Sequence, residues 1–174
     1  PKAIGLLGLA YSGMQVGVGT AEYAGPSSAT PTEPGRLAIL AALADAGKTP
    51  LDPPTAILIT GPSGANESAI LDGIESVVGP NVPIVGGNAA GLRPEGTLGE
   101  RTYYQFSRAG LTQNNVTVAA LYGNFKVAAH FGYYHDPVPE HTGIATKADV
   151  TIPSLAAIDG QPAVKPTRER VLSA

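Results

Sequence analysis

The first half of the chain alternates short apolar runs with segments of helical composition, whereas the second half carries β-rich segments with no helix between them. Ala3 to Leu9 and Met14 to Val18 read as two short strands broken by Tyr11-Ser12-Gly13, with Gly17 and Gly19 marking close packing or a bulge. A loop rich in Pro and Gly follows from Ala24 to Gly35. Arg36 to Ala46 (RLAILAALADA) is apolar almost all round and predicts a well-buried helix, with Gly47 as the residue just past its end. Thr55 to Thr60 (TAILIT) predicts a buried strand, and Glu67 to Val78 a second helix capped by Asn66 and stopped at Gly79-Pro80. Ile70, Leu71, Ile74, Val77 and Val78 share one face of that helix. Val82 to Val85 then reads as a strand feeding a tight loop at Gly86-Gly87, where the backbone comes close to something else.

Strand, helix, strand from Thr55 to Gly86 favours parallel pairing of the two strands. Both glycine-bearing turns then open at the carboxyl edge of the sheet, where open α/β sheets bind ligands. Further on, Thr102 to Ser107, Val116 to Tyr122 and Phe125 to Tyr133 read as strands, the last two joined at Gly123-Asn124 by a type II′ hairpin turn. Ala145 to Ile152 and Leu155 to Ile158 read as two more strands, the latter ending in Asp159-Gly160. The fold class expected is α/β: a mixed β-sheet with two main helices in the first half and antiparallel β hairpins in the second.

Charge changes the picture more than length does. Of 174 residues only 14% are charged while 43% are hydrophobic, against roughly 25% charged in an average soluble protein. That scarcity predicts a covered surface, in a homo-oligomer or against a partner domain. A net charge of −3 without a basic patch argues against nucleic acid. No apolar run reaches the roughly 20 residues of a membrane span, so a soluble, cytoplasmic setting without membrane attachment is expected. Zero cysteines exclude disulfides, thiolate catalysis and cysteine-bound metals. A chain that opens on Pro1 reads as processed, trimmed or partly observed.

Chemistry is sparse. Gly86, Gly87 and Asn88 offer backbone N–H groups and one amide, which suits either a small polar ligand or simply a tight turn. Ser63 and Gly64 lie between a strand and a helix, the context of an anion site, but without a P-loop or nucleophile-elbow pattern. His130, His135 and His141 are dispersed, so no metal is expected, and no cofactor motif is present. Tyr103, Tyr104, Tyr133 and Tyr134 form adjacent pairs, each offering one buried and one outward ring; the outward rings either line a pocket or fill the core with a hydroxyl at the surface. No acid and base stand at a recognisable catalytic spacing.

Pro83-Ile84-Val85-Gly86-Gly87-Asn88-Ala89-Ala90-Gly91, then Val116 to Leu121 with Gly123 after it, Thr146-Lys147-Ala148, and Ala157-Ile158-Asp159-Gly160-Gln161-Pro162-Ala163 resemble, in order and spacing, the N-terminal FIST domain. The resemblance is carried by Thr55 to Ala163. It implies a sensory domain over 1–163 that binds a small ligand such as an amino acid, with 164–174 as a tail leading to a C-terminal FIST domain or signalling module. Gly86, Gly87, Asn88, Asp159 and Gly160 are the motif positions, and Ser63, Gly64 and Tyr133 are added on their chemistry. Two other classes stay open: an enzyme working at the carboxyl edge of the sheet, and a structural assembly subunit.

Overall fold

The computed structural model describes residues 8, 10–25, 28–89, 103–108, 110–129, 143–149 and 154–163. The chain divides into two compact units, Pro1–Ala129 and His130–Ala174. In the first, β1 (Gln15–Glu22), α1 (Glu33–Asp45), β2 (Ala56–Pro62), α2 (Glu67–Val78) and β3 (Ile84–Ala89) are followed by β4 (Tyr104–Ser107), β5 (Gly110–Gln113) and β6 (Asn115–Tyr122). A four-stranded sheet runs in the order β1-β6-β2-β3. β6 is antiparallel to both β1 and β2, and β2 is parallel to β3, so the sheet is mixed as the strand-helix-strand pattern requires. β4 and β5 form a separate antiparallel hairpin.

The core lies on one face of this sheet. Val116, Val118 and Ala120 of β6 alternate inward, fully buried with Ile57 of β2 and with Ile39, Leu43 and Ile74 of the helices. On β1 the same face carries Gly17 and Gly19, followed by Ala21. A Cβ at Gly17 would meet the Ala42 carbonyl oxygen at 2.0 Å, and one at Gly19 the Ala38 carbonyl oxygen at 2.1 Å. The backbone of α1 therefore rests on the strand with no side chain between them. The helices close on each other in the same way, since a Cβ at Gly73 would meet the Thr32 carbonyl at 2.1 Å.

Helix ends follow their local chemistry. In α2, the Asn66 side chain accepts from the Ala69 N–H at 3.2 Å, and the chain leaves at Gly79 with φ 82°. In α1, Lys48 N–H donates to Leu43 O and Gly47 N–H to Ala44 O, with Gly47 at φ 65°, a Schellman ending. This helix starts at Glu33 and not at Arg36. Pro34 sits in its first turn, where a missing N–H costs nothing, and Glu33 and Arg36 pair through two 2.8 Å bonds. Those bonds hold the Glu33 carboxyl below the usual carboxylate range. Leu37 points out from this otherwise buried helix.

Three further readings need correction. β1 extends through Thr20 to Glu22 because every residue from Gln15 onward has a partner on β6. Gly86 and Gly87 do not form a loop: they continue β3, paired with Ile59 and Thr60, and neither has positive φ. Close approach is nevertheless real at Gly86, where a Cβ would meet the Ile59 carbonyl oxygen at 1.9 Å, whereas Gly87 faces open space. Gly123-Asn124 is not a hairpin turn, because 125–129 are not strand and the edges of β6 are taken by β1 and β2. The Gly123 carbonyl accepts from the Thr55 hydroxyl at 3.0 Å, tying the end of β6 to the start of β2. The turn into β6 occurs instead at Asn114, with φ 52°. The expected strand Ala3 to Leu9 lies almost wholly outside the described residues.

The second unit contains β7 (Ala145–Asp149), β8 (Ser154–Ile158) and β9 (Gln161–Pro162), paired antiparallel in that order. Among the described residues no helix is long and apolar enough to cross a membrane.

The glycine contacts set a clear contrast. Gly19→Ala places a methyl group against helix backbone and is expected to destabilise by about 1–3 kcal/mol. Gly87→Ala meets nothing and should stay within about 0.5 kcal/mol of the parent. Urea unfolding of the two variants checks this; equal midpoints would mean that α1 does not sit on β1 as described.

Candidate functional site

The parallel register brings Ser63, Gly64 and Asn88 to the carboxyl ends of β2 and β3, with Asn88 opposite Gly61. Polar groups there already satisfy one another. The Asn88 amide donates to the Glu67 carboxylate, the Asn66 N–H donates to the Tyr23 hydroxyl at 2.9 Å, and Asn66 caps α2. The first turn of α2 thus carries its own carboxylate, the charge that a helix N-terminus attracts. Gly64, with φ 79°, makes the turn between strand and helix.

Asp159 and Gly160 belong to the second unit and join β8 to β9. Both have positive φ, 51° and 76°, the signature of an Asp-Gly turn in a two-residue hairpin. The Asp159 carboxylate accepts from Ile144 N–H at 2.7 Å, and Gly160 N–H donates to the Thr146 hydroxyl at 2.9 Å. Their groups serve the local fold. Tyr133, His130, His135 and His141 lie outside the described residues. Of the expected positions, then, the structure gathers three at one edge, keeps Gly86 and Gly87 inside a strand, and puts two in a turn of the other unit.

A feature not expected from the sequence lies on the sheet face opposite the core. In-register pairing stacks Val18, Ala119, Leu58 and Val85 in one row across the four strands. The next row on that face is Thr20, Thr117, Thr60 and Gly87. Because side chains alternate along each strand, an apolar row and a hydroxyl row lie side by side. The β4–β5 hairpin contributes Phe106, Ser107 and Arg108 to this face, and together they line a groove of about 410 Å³ with Val18, Leu58, Ile59, Thr60, Thr117 and Ala119. An adjoining hollow of about 350 Å³, lined by Val18, Thr20, Asp45, Ser107 and Arg108, continues it around the β1 edge.

The polarity of the groove is unbalanced. Thr117 is only 6% exposed, yet among the described residues its Oγ1 has no hydrogen-bond partner. Gln105 of β4, 1% exposed and outside the groove lining, accepts from the Asn115 N–H at 3.0 Å through Oε1, while among the described residues its Nε2 has no partner. Buried hydroxyl and amide groups without partners are uncommon in folded proteins and mark places where something else supplies the bond. At the rim, Arg108 Nη2 lies 3.3 Å from Asp45 Oδ2, which also accepts from the Val18 N–H at 2.8 Å. This site can take a molecule with an apolar body, a group that hydrogen-bonds to a hydroxyl, and a charged end.

If the Thr117 hydroxyl is an orphan, removing it helps the protein without ligand. Thr117→Val keeps the shape and should raise stability by about 1 kcal/mol, read as a higher urea midpoint at unchanged slope. A lower midpoint would show that the hydroxyl has a partner.

The family model of the FIST N domain matches residues 2–161, reaching well before the Thr55 to Ala163 motifs and spanning both units. No curated protein matches the chain.

Proposed function

Because the chain belongs to the FIST N domain family, a family of sensory and signal-transduction domains, we propose that it reads a small polar molecule such as an amino acid on the face of its sheet opposite the two helices. The observation that carries this reading is the Thr117 hydroxyl, buried beneath the groove that Thr117 lines and without a hydrogen-bond partner among the described residues. A volume of about 410 Å³ lies within the usual span of small-molecule pockets, roughly 300–1,000 Å³. Ser63, Gly64 and Asn88 support the reading less directly, since the Asn88 amide is engaged by Glu67 and the helix is capped by Asn66. The ligand's apolar part rests on Val18, Leu58 and Ala119, and its hydrogen-bonding group meets Thr117.

The exposed side of the β4–β5 hairpin supports association with a second copy of the chain. Phe106 and Leu111 are cross-strand partners, 78% and 58% exposed, in a protein with few surface charges. Light scattering is expected to give a mass above that of one chain, reduced to a single chain by Leu111→Asp. A parent already monomeric at high concentration would remove this part of the reading.

Thermal shift with each of the twenty amino acids tests the ligand itself. At about a hundred times its dissociation constant, a bound amino acid adds about 2.7 kcal/mol of stability, a rise of several degrees. The same amino acid should give a much smaller rise with Thr117→Val at equal concentration. No shift from any of the twenty would defeat the proposal, and equal shifts in both proteins would place the ligand elsewhere.

A further inference from the structure

We infer that Arg108 is the residue that reads the ligand's carboxylate, and that Asp45 is the internal carboxylate it exchanges for that of the ligand. The inference rests on the ligand reading above and narrows the ligand to amino acids with an apolar side chain.

Arg108 follows β4 and lines both adjoining hollows, so its guanidinium stands where the groove meets the β1 edge. Its side chain is 68% exposed and, among the described residues, is held by its contact to Asp45 at 3.3 Å. The contrast with Arg36 is direct. That guanidinium makes two 2.8 Å bonds to a single carboxylate, the geometry its planar fork prefers, whereas Arg108 has donors to spare. An exposed ion pair of this kind is weakly held.

Asp45 loses little in the exchange. Its Oδ2 accepts the Val18 N–H at 2.8 Å, so the carboxylate stays anchored to the strand edge when Arg108 turns away. The groove beside them sets the rest of the class. Arg108 opens onto Val18, Leu58 and Ala119, which suit an aliphatic side chain and give a second charge no partner.

The test uses L-leucine and L-leucinamide as probes with the 174-residue chain, measured by calorimetric titration. The expected result is leucine binding, with leucinamide at least about tenfold weaker because it presents no carboxylate to the guanidinium. Arg108→Gln should weaken leucine by a similar factor, with Arg108→Lys between the two. Asp45→Asn should strengthen leucine several-fold, since the competing carboxylate is gone while the Asn oxygen still accepts the Val18 N–H. A purely structural role for the pair would make both substitutions weaken binding. Unligated melting curves identify any variant that has simply unfolded, and the leucine and leucinamide comparison on the parent protein stands without the variants. Equal binding of leucine and leucinamide, undiminished binding by Arg108→Gln, or binding restricted to polar amino acids would overturn the inference while leaving the ligand reading intact. Failure of all twenty amino acids to shift the melting temperature overturns both.

Discussion

The first unit depends on helix backbone lying directly on strand backbone. α1 reaches β1 through Gly17 and Gly19, and α2 reaches α1 through Gly73 against Thr32, so two layers meet with no side chains as spacers at those points. Such contacts set distance closely, because a methyl group at any of them has nowhere to go. They also drive the branched residues into the remaining space, where Ile39, Leu43, Ile57, Ile74, Val116 and Val118 fill the core. With both helices committed to that core, the opposite face of the sheet is left to strands and hairpin alone among the described residues.

That division of faces makes a ligand groove possible. β6 illustrates it residue by residue: Val116, Val118 and Ala120 turn to the core, while Thr117 and Ala119 turn to the groove. Thr117 suffers from this position, since the hairpin covers it without supplying a hydrogen-bond partner. A fully apolar row would bury more comfortably, and the retained hydroxyl is what gives the face its chemistry. Asp45 ties the two sides together, reaching from the end of α1 to the β1 edge and to Arg108 of the hairpin.

Much of the fold was legible because its signals are local. The Asn66 cap, the Gly47 ending and the parallel β2–β3 pair each depend on residues close in sequence. Gly86-Gly87 misled because a glycine pair after a β-branched run carries the same signature whether the chain turns or must pass close to its neighbour. The start of α1 was obscured by Pro34, which looks like a breaker but is well placed in a first turn. The groove was not legible at all. Thr20, Thr60 and Thr117 are unremarkable strand threonines until the register of three distant segments puts them in one row. Arg108 offered one weak signal, shared with Arg101: a cation beside a β-rich stretch in a chain poor in charge.

Gly87 closes the threonine row with no side chain and with room for one. Most positions that touch a binding surface also support the core behind it, so a change of ligand disturbs folding. At the end of this row the two demands separate. A side chain added there shortens or decorates the polar strip while the helices, the core and the strand pairing stay as they are. On the proposed reading, related domains could therefore diverge in what they detect by drifting at this one site, with folding placing almost no restraint on the choice.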